Sequence, residues 1–469
     1  MATHRAALAA LDLPEFGLPT IEPTIPADVY RRRMQAFRER AQRDGFDVVV
    51  VYGDREHFAN LAYLTGYDPR FEEALLVCDL GSQARPLLLV GNEGYGYVPI
   101  SPVAEDFERV LYQSFSLLGQ DRSRSRPLDA ILRDGGVREG AAVGVAGWKY
   151  FAAHESPAPD TWHETPSYLI DTLRALAGAP ANVRNATALL MGNDGLRASN
   201  ELEQLARFEY AATFSSQAVR NVLFNVRPGM TEHEAVELMR LNGLPLSCHV
   251  MLSGGERASM GLPSPSSRRL AQGDRVTTAV GLWGALTSRA GFLVAQAGEL
   301  PPTIHDYAER LVGPYFEAVA AWYSAVGIGV AGGELYRAIF DRLGDTFYGV
   351  ALNPGHLIHL DEWLNSPVYD GSSEALRPGM ALQVDVIPAT GTAYYTSNIE
   401  DGIALADAEM RAQFAERYPE AWGRIQARRA FMRDALGIEL KPEVLPFSNI
   451  PAYLPPFWLS PQGAMRLES

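Results

Sequence analysis

Between Asn353 and Ala404 the sequence gathers side chains that can move protons or hold a cation. Pro378 to Pro388 reads PGMALQVDVIP. Period-two alternation puts Met380, Leu382, Val384 and Val386 on one face and Gln383 and Asp385 on the other. A turn at Thr390-Gly391 follows, and the returning strand carries Asn398 and Glu400 on one face. Positions 385 and 400 are nearly equidistant from the middle of the connection, so the two carboxylates are expected to face each other across an antiparallel pair. Opposed carboxylates are unfavourable unless a metal, a cation or a shared proton compensates them. His356 enters through Pro354-Gly355, and His359 and Asp361 follow. In an extended segment His356 and His359 point to opposite faces, so only one joins the carboxylates, while His359 and Asp361 share a side. One imidazole and two carboxylates suit acid-base proton transfer or the holding of a single divalent ion.

The elements that must position these groups can be read from the apolar pattern. In the first half, Asp47 to Tyr52, Ala74 to Val77 and Pro86 to Val90 are brief apolar runs closed by Gly, Asp or Asn, with amphipathic stretches at Val29 to Arg43 and Tyr168 to Leu176. That alternation implies an α/β domain. The texture changes near residue 195. Strands are expected at about 249–253, 275–282 and 291–296, then helices at 303–326 and 333–343, three more strands, and a helix at 407–436, a blockwise order that implies α+β. The division expected is 1–29 as an N-terminal extension, 30–194 and 195–437 as two domains, and 438–469 as a tail. Six prolines between Pro442 and Pro461 predict that this tail is irregular and lies on the surface or against a partner subunit. Gly327, Gly329 and Gly332 spell G-x-G-x-x-G, but a helical pattern precedes them, so a helix-to-helix turn is expected and no nucleotide cofactor.

Composition limits the partners. Lys and Arg number 41 against 56 Asp and Glu, a formal charge of −15, and no basic cluster stands out, which argues against nucleic acid and anionic membranes. No apolar run is long enough to span a bilayer. The two cysteines, Cys78 and Cys248, sit in apolar surroundings and cannot form a disulfide framework. A cytoplasmic protein with a small-molecule substrate is expected, and the Asn185-Ala186-Thr187 sequon is then idle.

The strings GHLIHLDEW, LRPGMALQVDV and SNIEDGIALAD, in this order and spacing, resemble the creatinase, prolidase, aminopeptidase P and methionine aminopeptidase superfamily. YGDREHFANLAYLTGYDPRFEEALLV resembles the entry to its N-terminal domain, and the likeness runs from about residue 30 to 435. It implies an α/β N-terminal creatinase-like domain followed by an α+β pita-bread C-terminal domain, and a homodimer. Metallopeptidases of the superfamily hold two divalent ions with two Asp, one His and two Glu. By the resemblance His356 falls on the His, Asp385 on the first Glu and Glu400 on the second. Ala279 falls on the first Asp, and Ala290, or Arg289 after a one-residue deletion, on the second. A family His before this hairpin falls near Met260 to Pro263, where none occurs, and a second downstream His falls on Trp363. The His and Glu that creatinase uses fall on Leu262 or Pro263 and on Phe292.

These departures imply a metal-independent, creatinase-like hydrolase of a carbon-nitrogen bond in a small molecule, without a cofactor. His356 would shuttle protons, oriented by Asp385 or Glu400. Arg289, Gln383, Asn398, His359, Trp363 and Tyr395 are the candidate substrate-binding residues, with Trp283 and Tyr394 as further aromatics. Arg289 would either neutralise the two carboxylates by paired hydrogen bonds or point to solvent from the opposite strand face. Two alternatives stand beside this reading. One is a non-catalytic pita-bread binding or scaffold protein. The other is an Xaa-Pro-type peptidase with one divalent ion on His356, Asp385 and Glu400.

Overall fold

The computed structural model describes residues 5–468. With strands numbered along the chain, β1 (Ala6–Ala10) pairs antiparallel with the last strand, β15 (Gly463–Leu467). One compact unit comprises residues 5–24 and 199–468, and the other is residues 25–198. Of the segments expected to stand apart, the tail and residues 5–24 of the extension belong to the larger unit, and residues 25–29 to the smaller.

In residues 25–198 short apolar strands form a six-stranded mixed sheet. Its strands are β2 (Val48–Gly53), β3 (Ala74–Asp79), β4 (Leu87–Val90), β5 (Glu108–Leu111), β6 (Val143–Ala146) and β7 (Val183–Asn185). They lie in the order β5-β4-β3-β2-β6-β7. Every residue of β2 is buried, as a central strand covered on both faces requires. Leu169, Ile170 and Leu173 of the helix Ser167–Ala177 share a core with Val48 and Val50 of β2.

The larger unit is built on β8 (Met251–Gly254), β9 (Arg275–Leu282), β10 (Ala285–Phe292), β11 (His356–Leu357), β12 (Ala381–Val386) and β13 (Asn398–Leu405). Their order is β11-β12-β13-β10-β9-β8, and each pair is antiparallel. The strand expected at 291–296 instead occupies Ala285–Phe292. Leu282 pairs with Ala285 across the two-residue turn Trp283-Gly284, where Gly284 takes φ 93°. The apolar run Leu293-Val294 mimicked a strand, although it lies past the hairpin's end. The helix expected at 407–436 is two helices, Ala408–Arg417 and Pro419–Asp434, because the residue before a proline is driven out of the helical region. Tyr418 there takes φ −130° and ψ 58°. The segment holding Gly327 and Gly329 links the helices Gly313–Ala325 and Gly332–Leu343.

The proline-rich tail is ordered and largely interior. Tyr453 and Trp458 are fully buried, and β14 (Val444–Pro446) pairs with β13 at Ile403 to Leu405, beyond the residues that β10 occupies. Pro446 is tolerated because β14 is a short edge strand. No helix among the described residues is long and apolar enough to cross a membrane.

Candidate active site

Alternation and register bring a set of side chains to one face of the larger sheet. Met251, Ala279, Ser288, Glu400 and Asp385 are successive cross-strand partners over β8, β9, β10, β13 and β12. In the neighbouring row Thr277, Ala290 and Asn398 are partners, and on the other side Gln383 lies between His356 and Gly402. Directly paired residues and those two apart share a face. Asp385 therefore opposes Glu400, with His356 and Gln383 beside them.

The imidazole sits among the acids. His356 Nε2 is 3.5 Å from Glu362 Oε1, 3.9 Å from Asp385 Oδ2 and 3.9 Å from Glu400 Oε1. Its Nδ1 is 3.2 Å from the Leu357 carbonyl. A carbonyl only accepts, so Nδ1 donates there and Nε2 is the ring atom that meets the carboxyls. One ligand atom each from His356, Glu362 and Glu400 all lie within 4.8 Å of one another.

Glu362 is the member that sequence reasoning missed. It comes from a loop that folds back on β11: Leu357 N donates to the Asn365 carbonyl (2.8 Å) and Leu364 N to the Leu357 carbonyl (2.9 Å). The available signal was the acidic pair Asp361-Glu362 just after His359. Strand alternation could not place it, because the strand ends at Leu357.

Burial raises all three carboxyls. Glu362 is pushed up to about 7, mainly by desolvation, with His356 opposing and Asp385 and Asp361 adding. Asp385 is raised by burial against the pull of His356. Glu400 is raised well above the carboxylate range by burial, then by the repulsion of Asp385, Glu362 and Asp401. These acids cannot all ionise without a compensating positive charge.

The neighbouring polar groups leave acceptors open. Gln383 Nε2 donates to the Leu286 carbonyl (2.6 Å), while its Oε1 has no hydrogen-bond partner. A Cβ at Gly402 would come 2.9 Å from that oxygen, so a larger residue there would displace the Gln383 amide. Asn398, 4% exposed, and Asp385 each keep a buried Oδ1 without a hydrogen-bond partner. On the β9 side the face turns apolar, where Met251, Ala279 and Leu286 pack with Cys248. Burial, with Glu362 and Glu400 nearby, pushes the Cys248 thiol up to about 12.

The other residues expected here lie elsewhere or are engaged. Arg289 belongs to the alternate row, paired with Thr278 and Ile399, and faces the opposite side of the sheet. There it is fully buried, which corrects both versions expected of it. Its Nη2 donates to Asp401 Oδ2 (2.7 Å) and the Ile450 carbonyl (2.6 Å), its Nε to the Tyr453 carbonyl (2.8 Å) and its Nη1 to the Ser288 carbonyl (2.7 Å). His359 is buried edge-on against Phe208, with ring centroids 5.3 Å apart. Trp363 is 41% exposed. Tyr395 takes φ 66° and its hydroxyl donates to the Ala258 carbonyl (2.9 Å), while Tyr394 donates to Asp306 Oδ1 (2.6 Å). Trp283 forms the β9–β10 turn.

The donor set suits a divalent cation. Imidazole and carboxylates are ligands for first-row metals, and the excess of buried acid over base is what a cation would neutralise. The two-ion arrangement implied by the resemblance fits less well, because Ala279 and Ala290 offer methyl groups where oxygens would be needed.

Residues 206–409 match the model of metallopeptidase family M24. The fold is shared with solved structures. An Xaa-Pro dipeptidase from Bacillus anthracis aligns with TM-score 0.59 and 18% identity over 81% of this chain and 96% of its own. A prolidase from Pyrococcus horikoshii OT3 aligns with TM-score 0.60 and 17% identity over 80% and 95%, respectively. The aminopeptidase PepP of Pseudomonas aeruginosa gives TM-score 0.54 and 17% identity over 84% and 99%. No curated protein sequence matches. These likenesses establish the two-part architecture, with a pita-bread C-terminal part.

Proposed function

We propose, from the match of residues 206–409 to the model of metallopeptidase family M24, that this protein is a hydrolase of an amide-type carbon-nitrogen bond in a small substrate. The observation that carries the reading is the convergence of His356, Glu362, Asp385 and Glu400 on one sheet face, around one imidazole nitrogen. Proton transfer is most effective from a group whose pKa lies near the working pH. In the metal-free site Glu362, raised to about 7, is such a group and exchanges a proton with water or with the departing nitrogen. His356 Nε2, 3.5 Å away, orients the Glu362 carboxyl. Asp385 and Glu400 hold the imidazole in place, and the open Gln383 Oε1 and Asn398 Oδ1 accept hydrogen bonds from substrate N–H groups.

The metal-independent form expected from the sequence loses its side-chain cation, since Arg289 is engaged on the opposite face. A divalent ion, when bound, supplies Lewis acidity to a carbonyl. His356, Glu362 and Glu400 are the side chains that would hold it. Xaa-Pro dipeptides are the first substrates to try, because two of the similar structures are an Xaa-Pro dipeptidase and a prolidase. The test is turnover of a panel of Xaa-Pro dipeptides, small amides and guanidines by the wild type and by His356→Ala. The wild type should hydrolyse at least one class and the variant should lose about 100-fold or more. An inactive wild type, or a variant equal to it, sinks the reading.

A further inference from the structure

We propose that this protein holds one divalent cation of the Mn²⁺ or Zn²⁺ class, and that Glu362 is a ligand supplied from outside the sheet by the fold-back loop. The proposal rests on the active-site location proposed above, although it does not require hydrolysis to occur. Three observations carry it.

The first is size. Ligand bonds to such an ion are about 2.0–2.3 Å, so atoms sharing it lie no more than about 4.6 Å apart. His356 Nε2 and Glu362 Oε1 are 3.5 Å apart, His356 Nε2 and Glu400 Oε1 are 3.9 Å apart, and the full set lies within 4.8 Å. Small rotamer adjustments close that set on one ion.

The second is the state of the surrounding polar groups. Asn398, two residues from Glu400 on the same face, is 4% exposed with its Oδ1 lacking a hydrogen-bond partner. Gln383, fully buried between His356 and Gly402, leaves its Oε1 in the same condition, and so does Asp385 with its Oδ1. Buried acceptors are ordinarily satisfied, because an unpaired one forfeits its hydration without compensation. Three of them on one face point to a ligand that brings donors, such as a hydrated cation.

The third sets the number. Beyond Glu400 along the cross-strand row come Ser288, Ala279 and Met251, with Ala290 in the next row. Met251, Ala279, Leu286 and Cys248 form an apolar cluster there. A second hard cation would find a hydroxyl and hydrocarbon in place of carboxylates. Glu362 adds an acid on the His356 side instead, so the anionic charge is concentrated around one position.

Elemental analysis and calorimetry of chelator-treated protein titrated with Mn²⁺ and separately with Zn²⁺ test this. One equivalent should bind with a concentration-dependent rise in melting temperature. Glu362→Gln should bind about tenfold or more weaker. Its metal-free circular dichroism spectrum and cooperative melt should match the wild type, which separates loss of a ligand from loss of the fold. Binding of no ion, binding of two, or unchanged affinity in Glu362→Gln overturns the proposal. One bound equivalent without turnover of any substrate supports it and sinks the hydrolase reading, whereas turnover by metal-free protein does the reverse.

Discussion

Glu400 and Asp401 are consecutive residues of β13, both almost wholly buried, and they point to opposite sides of one sheet. Asp401 faces Arg289, whose Nη2 is 2.7 Å away, and it accepts from Ala452 N at 2.9 Å. Burial raises its pKa, and Arg289 pulls it back down. A second acid of this unit, Glu209, is held the same way, by Arg424 at 2.9 and 2.6 Å and by Arg428 at 2.7 Å. Among the described residues no arginine pairs with the Glu400 carboxyl, and Arg289 only draws its pKa down from the other face. The partner of Glu400 is an imidazole nitrogen 3.9 Å away, and its neighbours Asp385 and Glu362 repel it. Where buried charge serves the fold, a guanidinium pairs with it; where it serves chemistry, it is left short of a cation.

The largest effect that could break this contrast is on the ion-paired side. Arg289→Met removes a fully buried guanidinium and leaves Asp401 without its charge partner, which should destabilise the protein by about 3–5 kcal/mol in urea unfolding. A loss below about 1 kcal/mol would mean that the Asp401 side is not held by its ion pair. Next in size is a pH effect on the side without an arginine pair. Glu362 titrates near 4.5 unfolded and at about 7 folded, so between these values the folded state binds the extra proton. Stability of the metal-free protein is therefore greatest below about pH 4.5 as far as this group is concerned, and it falls as pH rises through 7. Melting temperature measured from pH 5 to 8 should decline, by an amount equivalent to about 1–3 kcal/mol, and Glu362→Gln should flatten the decline. A flat wild-type profile would show that Glu362 is already compensated.

How far this contrast could be read in the sequence follows from what is periodic. Alternation in PGMALQVDVIP and SNIEDGIALAD placed Asp385 opposite Glu400, and the register is the one found. The same rule assigns Arg289 a face but says nothing about what covers that face. The cover is the tail, whose Ile450 and Tyr453 carbonyls receive the guanidinium, and a stretch punctuated by prolines has no period from which to infer burial. Glu362 escaped for a related reason, since its position depends on a fold-back between Leu357 and Asn365 rather than on strand geometry. His359 looked equivalent to His356 by type, yet it lies past the strand's end and packs against Phe208. Strands of four to eight residues were legible as far as their polar ends were marked. Leu293-Val294 shifted one of them because a loop can be as apolar as a strand.

The smallest effect discriminates best, because its sign differs on the two sides. Glu400→Gln keeps the side chain's shape and removes one of three mutually repelling acids, so the metal-free protein should gain roughly 0.5–2 kcal/mol while activity falls. The corresponding change on the other side, Asp401→Asn, leaves the buried Arg289 charge uncompensated and must destabilise. Urea unfolding of the two variants in chelator reads this directly: opposite signs for adjacent residues on one strand can arise only if compensation, rather than burial, decides the outcome. If both lose stability, the Glu400 carboxyl is held by more than His356, and its strain is not what the chemistry draws on.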